Sequence, residues 1–501
     1  MVMETLQIRL TKGLVEEIQK LVDKQIYSSV SEAIRDAVRK MVVGGNELRK
    51  ETPGEKPVPP EVQQIQEAIE KEVKGELQRA RGTRDFLPES QIVRQQITST
   101  LRETFELYGY SPLETPAIER FDILASKYAG GAEILKETFK FRDQGNREVA
   151  LRYDLTVPLA RVIGMNQQLK MPFKRYQIGE VFRDGPVNLG RYRQFVQCDV
   201  DVIGSKEMAA DAEILSIMKS ALSRLGFESE IKVNNRKILD GIMVWAGVEK
   251  EKTETVMLSL DKLEKFGKDT VTKELLGKGL NEDIIAKILN VAGLTGRNEE
   301  KISSLKNIIG DIDGLKEIER LLELLNAIFV EVEFEPSLAR GLAYYTGTIY
   351  ETFIKGSSIT SSVCSGGRWD NMIGQFLGRG EYPAVGTSFG LDRLYDAIIE
   401  RNQGKAAIKT VTKVFVIPIG TIGKSIKIAQ QFREAGIKTE IDLMGRGVSK
   451  NLNYANSLGI PYVIFIGEDE LRQNKVKVRD MKSGEEKLVS ESEAVKIVSI
   501  T

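Results

Sequence analysis

Apolar residues recur along this chain with two periods, and the change from one to the other marks out its elements. Thr5-Leu-Gln-Ile-Arg-Leu10 alternates, which puts Leu6, Ile8 and Leu10 on one face of a strand and Thr5, Gln7 and Arg9 on the other. Leu14, Ile18, Leu21 and Val22 follow at helical spacing. Ser29 with Glu32 then forms a capping box ahead of a second helix whose apolar face is Ile34, Ala37, Val38 and Met41. A strand–helix–helix unit over residues 1–45 is too small to bury its own core and needs a partner. Gly44-Gly45 and the Pro- and charge-rich run to Pro60 predict a linker, and a mostly polar helix is expected from Glu61 to about Arg79. Residues 46–80 are thus read as linker and helix.

Beyond Arg81 the pattern is that of a mixed α+β body. An amphipathic helix is expected from about Ser90 to Leu107, and Pro112-Leu-Glu-Thr-Pro116-Ala-Ile-Glu119 reads as extended. Phe139 to Asp143 and Val149 to Pro158 predict two strands and a helix start, with Asp154 and Thr156 alternating onto one face or Asp154 capping the helix that enters at Pro158. Tyr176 to Phe182 and Tyr192 to Val202 are β-branched and aromatic arms about a turn carrying Gly185, Pro186, Asn188 and Gly190, so they predict an antiparallel hairpin. A helix over 205–225 and a strand at Ile231–Arg236 follow. Residues 238–328 are helical and charged, with Leu305, Ile308, Ile309, Ile312, Leu315, Ile318, Leu322 and Leu325 in 3.6-residue periodicity. The tail, 411–501, alternates as βαβαβ and reads as a separate α/β domain.

Composition narrows the chemistry. Lys+Arg and Asp+Glu balance at 72 each in 501 residues, so nucleic-acid binding has to come from local patches. No apolar run is long enough for a membrane helix and the N-terminus lacks a signal-peptide core, which together with two cysteines predicts a reduced, cytoplasmic protein without membrane association. Histidine is absent altogether. That removes Ser-His-Asp and Cys-His catalysis, imidazole bases and His-ligated metals, and leaves carboxylates, Arg/Lys, backbone dipoles, oxygen-held metals or a substrate phosphate.

The hairpin carries the candidate chemistry. Arg183 stands at its open end, where a planar fork could clamp a phosphate, and Gln197 and Asp201 share one strand face suited to a small polar or cationic ligand. The same residues also suit a surface hairpin whose arginines pair with nearby carboxylates. Phe182-Arg183 and Gly190-Arg-Tyr-Arg-Gln-Phe-Val-Gln-Cys-Asp199 resemble motif 2 of class II aminoacyl-tRNA synthetases, closest to histidyl-tRNA synthetases of archaeal and eukaryotic type. The stretch from Arg81 to Glu119 resembles motif 1, and Pro383 to Leu394 resembles motif 3. Arg340-Gly-Leu-Ala-Tyr344-Tyr345-Thr-Gly347 and Ser365-Gly-Gly-Arg-Trp-Asp370 resemble the two histidine-specific signatures, with Ala343 and Trp369 departing from the usual residues.

The resemblance spans residues 81–501 and implies a class II body at 81–410 with a helical insertion at about 238–328 and an anticodon-binding domain at 411–501. By it, Arg183, Arg340 and Arg393 are catalytic. ATP is held by those arginines with Gly390, and histidine by Asp154, Thr156, Gln197, Asp201, Tyr344, Tyr345, Gly366 and Gly367. It implies ligation of L-histidine to tRNA(His) with ATP and Mg2+ in a homodimer, and no other metal. A chain of this activity that contains no histidine can be made while histidyl-tRNA is scarce. Residues 1–45 resemble ribbon-helix-helix DNA-binding domains, in which Thr5, Gln7 and Arg9 would face bases, although seven Lys/Arg against six Asp/Glu is a weak footprint for DNA. The alternative is a non-catalytic histidine or tRNA sensor, either like the regulatory subunit of ATP phosphoribosyltransferase or a DNA-binding repressor.

Overall fold

The computed structural model describes residues 12–23, 30, 78–125, 135–187, 191–339, 344–403 and 408–499. The chain divides into two compact units, 1–84 and 85–501. In the first, the expected helix runs Lys12–Asp23 with Ile18 buried, and Gln19 Nε2 donates to Asp23 Oδ1 at 3.0 Å. The strand expected at Thr5–Leu10, with Thr5, Gln7 and Arg9, lies outside the described residues, as does nearly all of the second helix. So does most of the helix expected over 61–79, whose last two positions are not helical.

The second unit is built on an eight-stranded sheet in the order β1-β5-β6-β11-β10-β9-β7-β8. The strands are β1 Ser111–Pro112, β5 Phe173–Phe182, β6 Gln194–Ile203, β7 Ser229–Asn235, β8 Glu333–Phe334, β9 Thr348–Ile354, β10 Cys364–Arg368 and β11 Ala384–Gly390. The centre is antiparallel, and the short edge strands β1 and β8 pair parallel. A smaller sheet, β2-β4-β3, holds β2 Ile118–Arg120, β3 Lys140–Arg142 and β4 Glu148–Leu151.

Register decides what each face of the large sheet does. Directly opposed residues share a face, so Arg175↔Asp201↔Gly386, Gln177↔Asp199↔Ser388 and Gly179↔Gln197↔Gly390 line up polar and small residues on one side. The intervening positions, Tyr176, Cys198, Val200, Val202, Val385 and Phe389, are buried on the other. Helix Pro88–Leu107 covers that side, with Val93, Ile97, Leu101 and Phe105 buried. The Phe105 ring lies 5.6 Å from that of Tyr176 and 5.8 Å from that of Phe389. Each such side chain removed from water stabilises the fold by about 1.5–3 kcal/mol. Helices Met208–Arg224 and Leu391–Arg401 complete the layer, while on the polar face helices Thr156–Met165 and Met372–Leu377 pack against the Phe173, Ile203 and Ala384 end.

Arg94 Nη1 in helix Pro88–Leu107 pairs with Asp392 Oδ1 at 2.8 Å, and Asp392 Oδ2 accepts from Val196 N at 3.1 Å. One carboxylate therefore ties together three segments distant in sequence. The expected helical insert is present as Arg236–Ala246, Thr253–Leu260, Leu263–Gly277, Glu282–Ala292, Asn298–Ile309 and Asp313–Ala327. The periodic run from Leu305 to Leu325 divides between the last two helices, because Gly310 at φ 80° turns the chain.

The tail forms a second, mixed sheet, β13-β12-β14-β15-β16, from β12 Val414–Pro418, β13 Thr439–Ile441, β14 Tyr462–Ile466, β15 Val476–Asp480 and β16 Glu486–Val489. The first three strands, with helices Ile422–Glu434 and Val448–Leu458, are the parallel βαβαβ expected. The antiparallel β15–β16 pair extends it. Among the described residues no helix is long and apolar enough to cross a membrane.

Candidate active site

The polar face of the large sheet floors a cleft of ≈ 500 Å³, within the size range of small-molecule sites. Of the residues singled out in the sequence, Asp154, Thr156, Arg183, Gln197, Asp201, Tyr344, Tyr345, Gly366, Gly367, Gly390 and Arg393 all line it. Arg340 and Ala343 lie outside the described residues.

Arg183 follows the last residue of β5. Its backbone N–H donates to Arg193 O at 2.8 Å, which fixes the mouth of the hairpin, and its Nε donates to Tyr153 O at 3.0 Å. The guanidinium lies 5.2 Å from the centre of the Phe195 ring. Burial pushes its pKa down, and the Asp154 carboxylate opposes that. A cation held this way, in a site short of water, is poised for an anionic ligand. Across the cleft, Gly390 ends β11 and Arg393 stands in the first turn of the helix after it, with Nη1 donating to Ser362 O.

Of the two readings open for Asp154, the structure takes the helix start and not the strand. β4 ends at Leu151 and a helix runs Thr156–Met165, so Asp154 and Thr156 do not alternate along a strand. Asp154 Oδ1 instead accepts from Val157 N at 3.1 Å, holding the first turn of that helix, and both residues still reach the cleft. The helix won because Asp can satisfy an orphan N–H there and Pro158 needs none. Burial pushes the Asp154 carboxyl up to about 6, opposed by the Val157 hydrogen bond and by Arg183.

Strand β6 keeps Gln197 and Asp201 on one face, as their spacing requires. The residue between them on that face, Asp199, also lines the cleft and was not singled out, although simple alternation points to it. Beneath them is Arg175, fully buried, whose Nη2 lies 2.9 Å from Asp201 Oδ2 and donates to Leu155 O at 3.2 Å. No local signal marks Arg175; only the β5–β6 register sets it under Asp201. Burial raises the Asp201 carboxyl while Arg175 and a hydrogen bond from Trp369 hold it down.

Two glycines make room here. A Cβ at Gly386 would strike the Asp201 carboxylate, and one at Gly367 would sit 2.8 Å from the Tyr345 ring. Tyr344 and Tyr345 pack with ring centroids 4.8 Å apart, and Trp369 is buried beside them, so the Asp201 end of the cleft is aromatic. In the same signature Arg368 points away from the ligand space: its guanidinium pairs with Asp211 and donates to Ser205 O at 2.8 Å. The cleft thus brings together arginines, carboxylates and an aromatic wall, a set suited to a nucleotide phosphate beside a small amine with a ring.

Comparisons with known proteins agree in extent. Residues 82–394 match the histidyl-tRNA synthetase family, 413–500 an anticodon binding domain and 4–42 the ribbon-helix-helix proteins of the copG family. Histidine–tRNA ligase 1 of Bacillus cereus is 46% identical over 425 residues, covering 82% of this chain and 97% of that one. Histidine–tRNA ligase 2 of Shouchella clausii is 41% identical over 423 residues, covering 83% and 99%. The crystal structure of histidyl-tRNA synthetase from Nostoc sp. PCC 7120 superposes with a TM-score of 0.74 at 29% identity, covering 85% of this chain and 99% of that one.

Proposed function

Because the chain belongs to the histidyl-tRNA synthetase family, we propose that the polar-faced cleft is where its reaction takes place. The reaction is ATP-dependent histidine–tRNA ligation. A carboxylate oxygen of histidine attacks the α-phosphorus of ATP and pyrophosphate leaves. The 3′-terminal ribose hydroxyl of tRNA(His) then attacks the acyl carbon and AMP leaves.

In this reading Arg183 and Arg393 hold phosphate charge from opposite sides. Arg340 joins them at the α-phosphate, where a cation stabilises charge that grows in the transition state. Asp154 and Thr156 receive the α-ammonium, Gln197 and Asp201 the amine and the imidazole, and Tyr344 and Tyr345 with the Gly366-Gly367 backbone shape the ring pocket. A pocket whose polar groups need both ring nitrogens rejects ligands that leave them unpaired. With no histidine in the chain, the base for transfer to tRNA is a phosphate oxygen of the adenylate. Mg2+ suits the oxygen donors of the pyrophosphate moiety, and Glu351 lines the same cleft as a further oxygen donor. Bound there, it supplies charge neutralisation. Domain limits at 81–410 and 411–501, a homodimer and a cytoplasmic location belong to the same proposal.

The observation that carries this placement is one cleft holding Arg183 and Arg393 over a floor of Asp154, Gln197 and Asp201. Its test is Asp154→Asn, read by histidine-dependent exchange of pyrophosphate into ATP. The KM for histidine is expected to rise roughly tenfold or more, the worth of a charged hydrogen bond, while that for ATP stays put. An unchanged histidine KM would remove Asp154 from the site.

The match of residues 4–42 to ribbon-helix-helix proteins favours a second activity, sequence-specific DNA binding through paired strands bearing Thr5, Gln7 and Arg9. With seven Lys/Arg against six Asp/Glu in residues 1–45, phosphate contact would rest largely on the helix start near Ser29. The full chain should bind duplex from upstream of its own gene, more weakly as salt rises, and a version starting at Arg79 should not. Binding no better than to random duplex would leave the unit a dimerisation module.

A further inference from the structure

The middle of the cleft floor is built around Ser388, and its hydrogen bonds leave two acceptors without a donor. Gln197 Nε2 donates to Ser388 Oγ at 2.8 Å. The Ser388 hydroxyl in turn is hydrogen-bonded to the Asp199 carboxylate. β11 places Ser388 directly opposite Asp199, so one hydroxyl draws together side chains that sit two residues apart on β6. The amide and the carboxylate are each held by one atom, and each has one oxygen left over. Gln197 Oε1 and Asp199 Oδ1 are both fully shielded from solvent and have no hydrogen-bond partner among the described residues. A buried acceptor with no donor costs about 1–3 kcal/mol, more if it is charged. That cost is expected to persist only where a ligand relieves it.

Asp201, the carboxylate that spacing brought forward, has a cation beside it instead, although its Oδ2 also lacks a partner with hydrogen-bond geometry among the described residues. It is ion-paired to Arg175 at 2.9 Å and hydrogen-bonded to Trp369. Among the described residues Asp199 has no such ion pair. Burial pushes its carboxyl up, Arg175 opposes through space, and the charge of Asp201 adds to the rise. Asp199 is thus a buried acid short of a cation, in a cleft that also holds an arginine pair and an aromatic wall.

We infer that Asp199 Oδ1 and Gln197 Oε1 join Asp154 and Thr156 as acceptors around the substrate's α-ammonium, and that Ser388 is the positioning residue that aims the first two. This rests on the placement of histidine in the cleft argued above. It makes Asp199 a histidine-binding residue and confines Asp201 to the ring end. Arg175 is ion-paired to Asp201, and the ligand's single ammonium would bring positive charge to Asp154 and Asp199.

The test uses two ligands on the full chain, L-histidine and imidazole-4-propionate, which keeps the ring and the carboxylate but lacks the amine. Equilibrium binding of each is measured by calorimetry for the wild-type protein, Asp199→Asn, Ser388→Ala and Asp154→Asn. Asp199→Asn is expected to weaken histidine roughly 10–100-fold and to leave the des-amino ligand within about twofold. Ser388→Ala, a milder change that spares the fold, should weaken histidine several-fold with the same selectivity, and it decides the matter if the Asn variant does not fold. Equal weakening of both ligands would mean that Asp199 faces the ring or only supports the sheet, and would overturn the inference. Unchanged histidine binding in both Asp199→Asn and Ser388→Ala would overturn it too. Asp154→Asn separates the two levels: if it weakens histidine while Asp199→Asn does not, only the present inference fails. If neither does, the placement of histidine in the cleft fails with it.

Discussion

Arg183→Ala is expected to lower histidine-dependent pyrophosphate exchange by roughly 10²–10³-fold, the loss that follows removal of one preorganised donor at a centre where charge develops. The argument begins with how little Arg183 has to reorganise. Its backbone is pinned by the Arg193 carbonyl, its Nε by the Tyr153 carbonyl, and its planar head lies against the Phe195 ring. It is charged in a place where burial disfavours charge. An anion arriving there regains that cost, and the gain grows as the α-phosphorus takes on a fifth oxygen. The effect should therefore fall mainly on kcat. Arg183→Lys should recover only part of it, because an ammonium keeps the charge but not the two-pronged geometry. Single-turnover exchange would check this, and a variant with the wild-type rate would take Arg183 out of the reaction.

Asp211→Ala should be the most damaging of the structural changes, costing roughly 3–5 kcal/mol. Asp211 is fully buried in helix Met208–Arg224 and accepts from both Arg368 and Thr348. Its loss leaves the Arg368 guanidinium, which is 5% exposed and cannot shed its proton, with only the longer Asp370 contact at 3.3 Å and backbone carbonyls. Arg368→Met should cost less, since an Asp211 left without its cation can take up a proton. Asp211→Leu combined with Arg368→Met should cost less than the sum of the two single changes. Urea unfolding followed by Trp369 fluorescence, beside the pair in sequence, would give all three values. Asp211→Ala no worse than Arg368→Met would contradict the asymmetry. The change also bears on function: Arg368 joins β10 to the helical layer, and Gly366 and Gly367 precede it on the strand that borders the cleft.

Much of this was legible in the residues themselves, and the reason is locality. Strand alternation alone put Gln197 and Asp201 on one face, and by the same rule it places Asp199 between them. Helical periodicity marked helix Pro88–Leu107 and the insert, since 3.6-residue spacing is a property of the backbone and needs no partner. The parallel core of the tail followed from alternating strands and helices. Local rules failed where two local solutions compete. Asp154-Leu-Thr156 alternates well enough for a strand, yet a helix start satisfies its backbone donors better. The run from Leu305 to Leu325 keeps its period through Gly310, which nonetheless turns the chain.

The tertiary structure decided which charges meet. Arg94 reaches Asp392 across 298 residues, Gln197 reaches Ser388 across 191, and Arg175 comes to lie under Asp201 through the β5–β6 register. No spacing rule couples such positions, because the closing distance is set by how strands align and not by the chain between them. The sequence by itself determined that an arginine at a hairpin mouth and a polar strand face were available, in a chain with no imidazole. Only folding determined that Asp201 would find its cation within the protein. Asp199, two residues earlier on the same face, has no such ion pair among the described residues, since a buried carboxylate is settled by what the neighbouring strands place beside it.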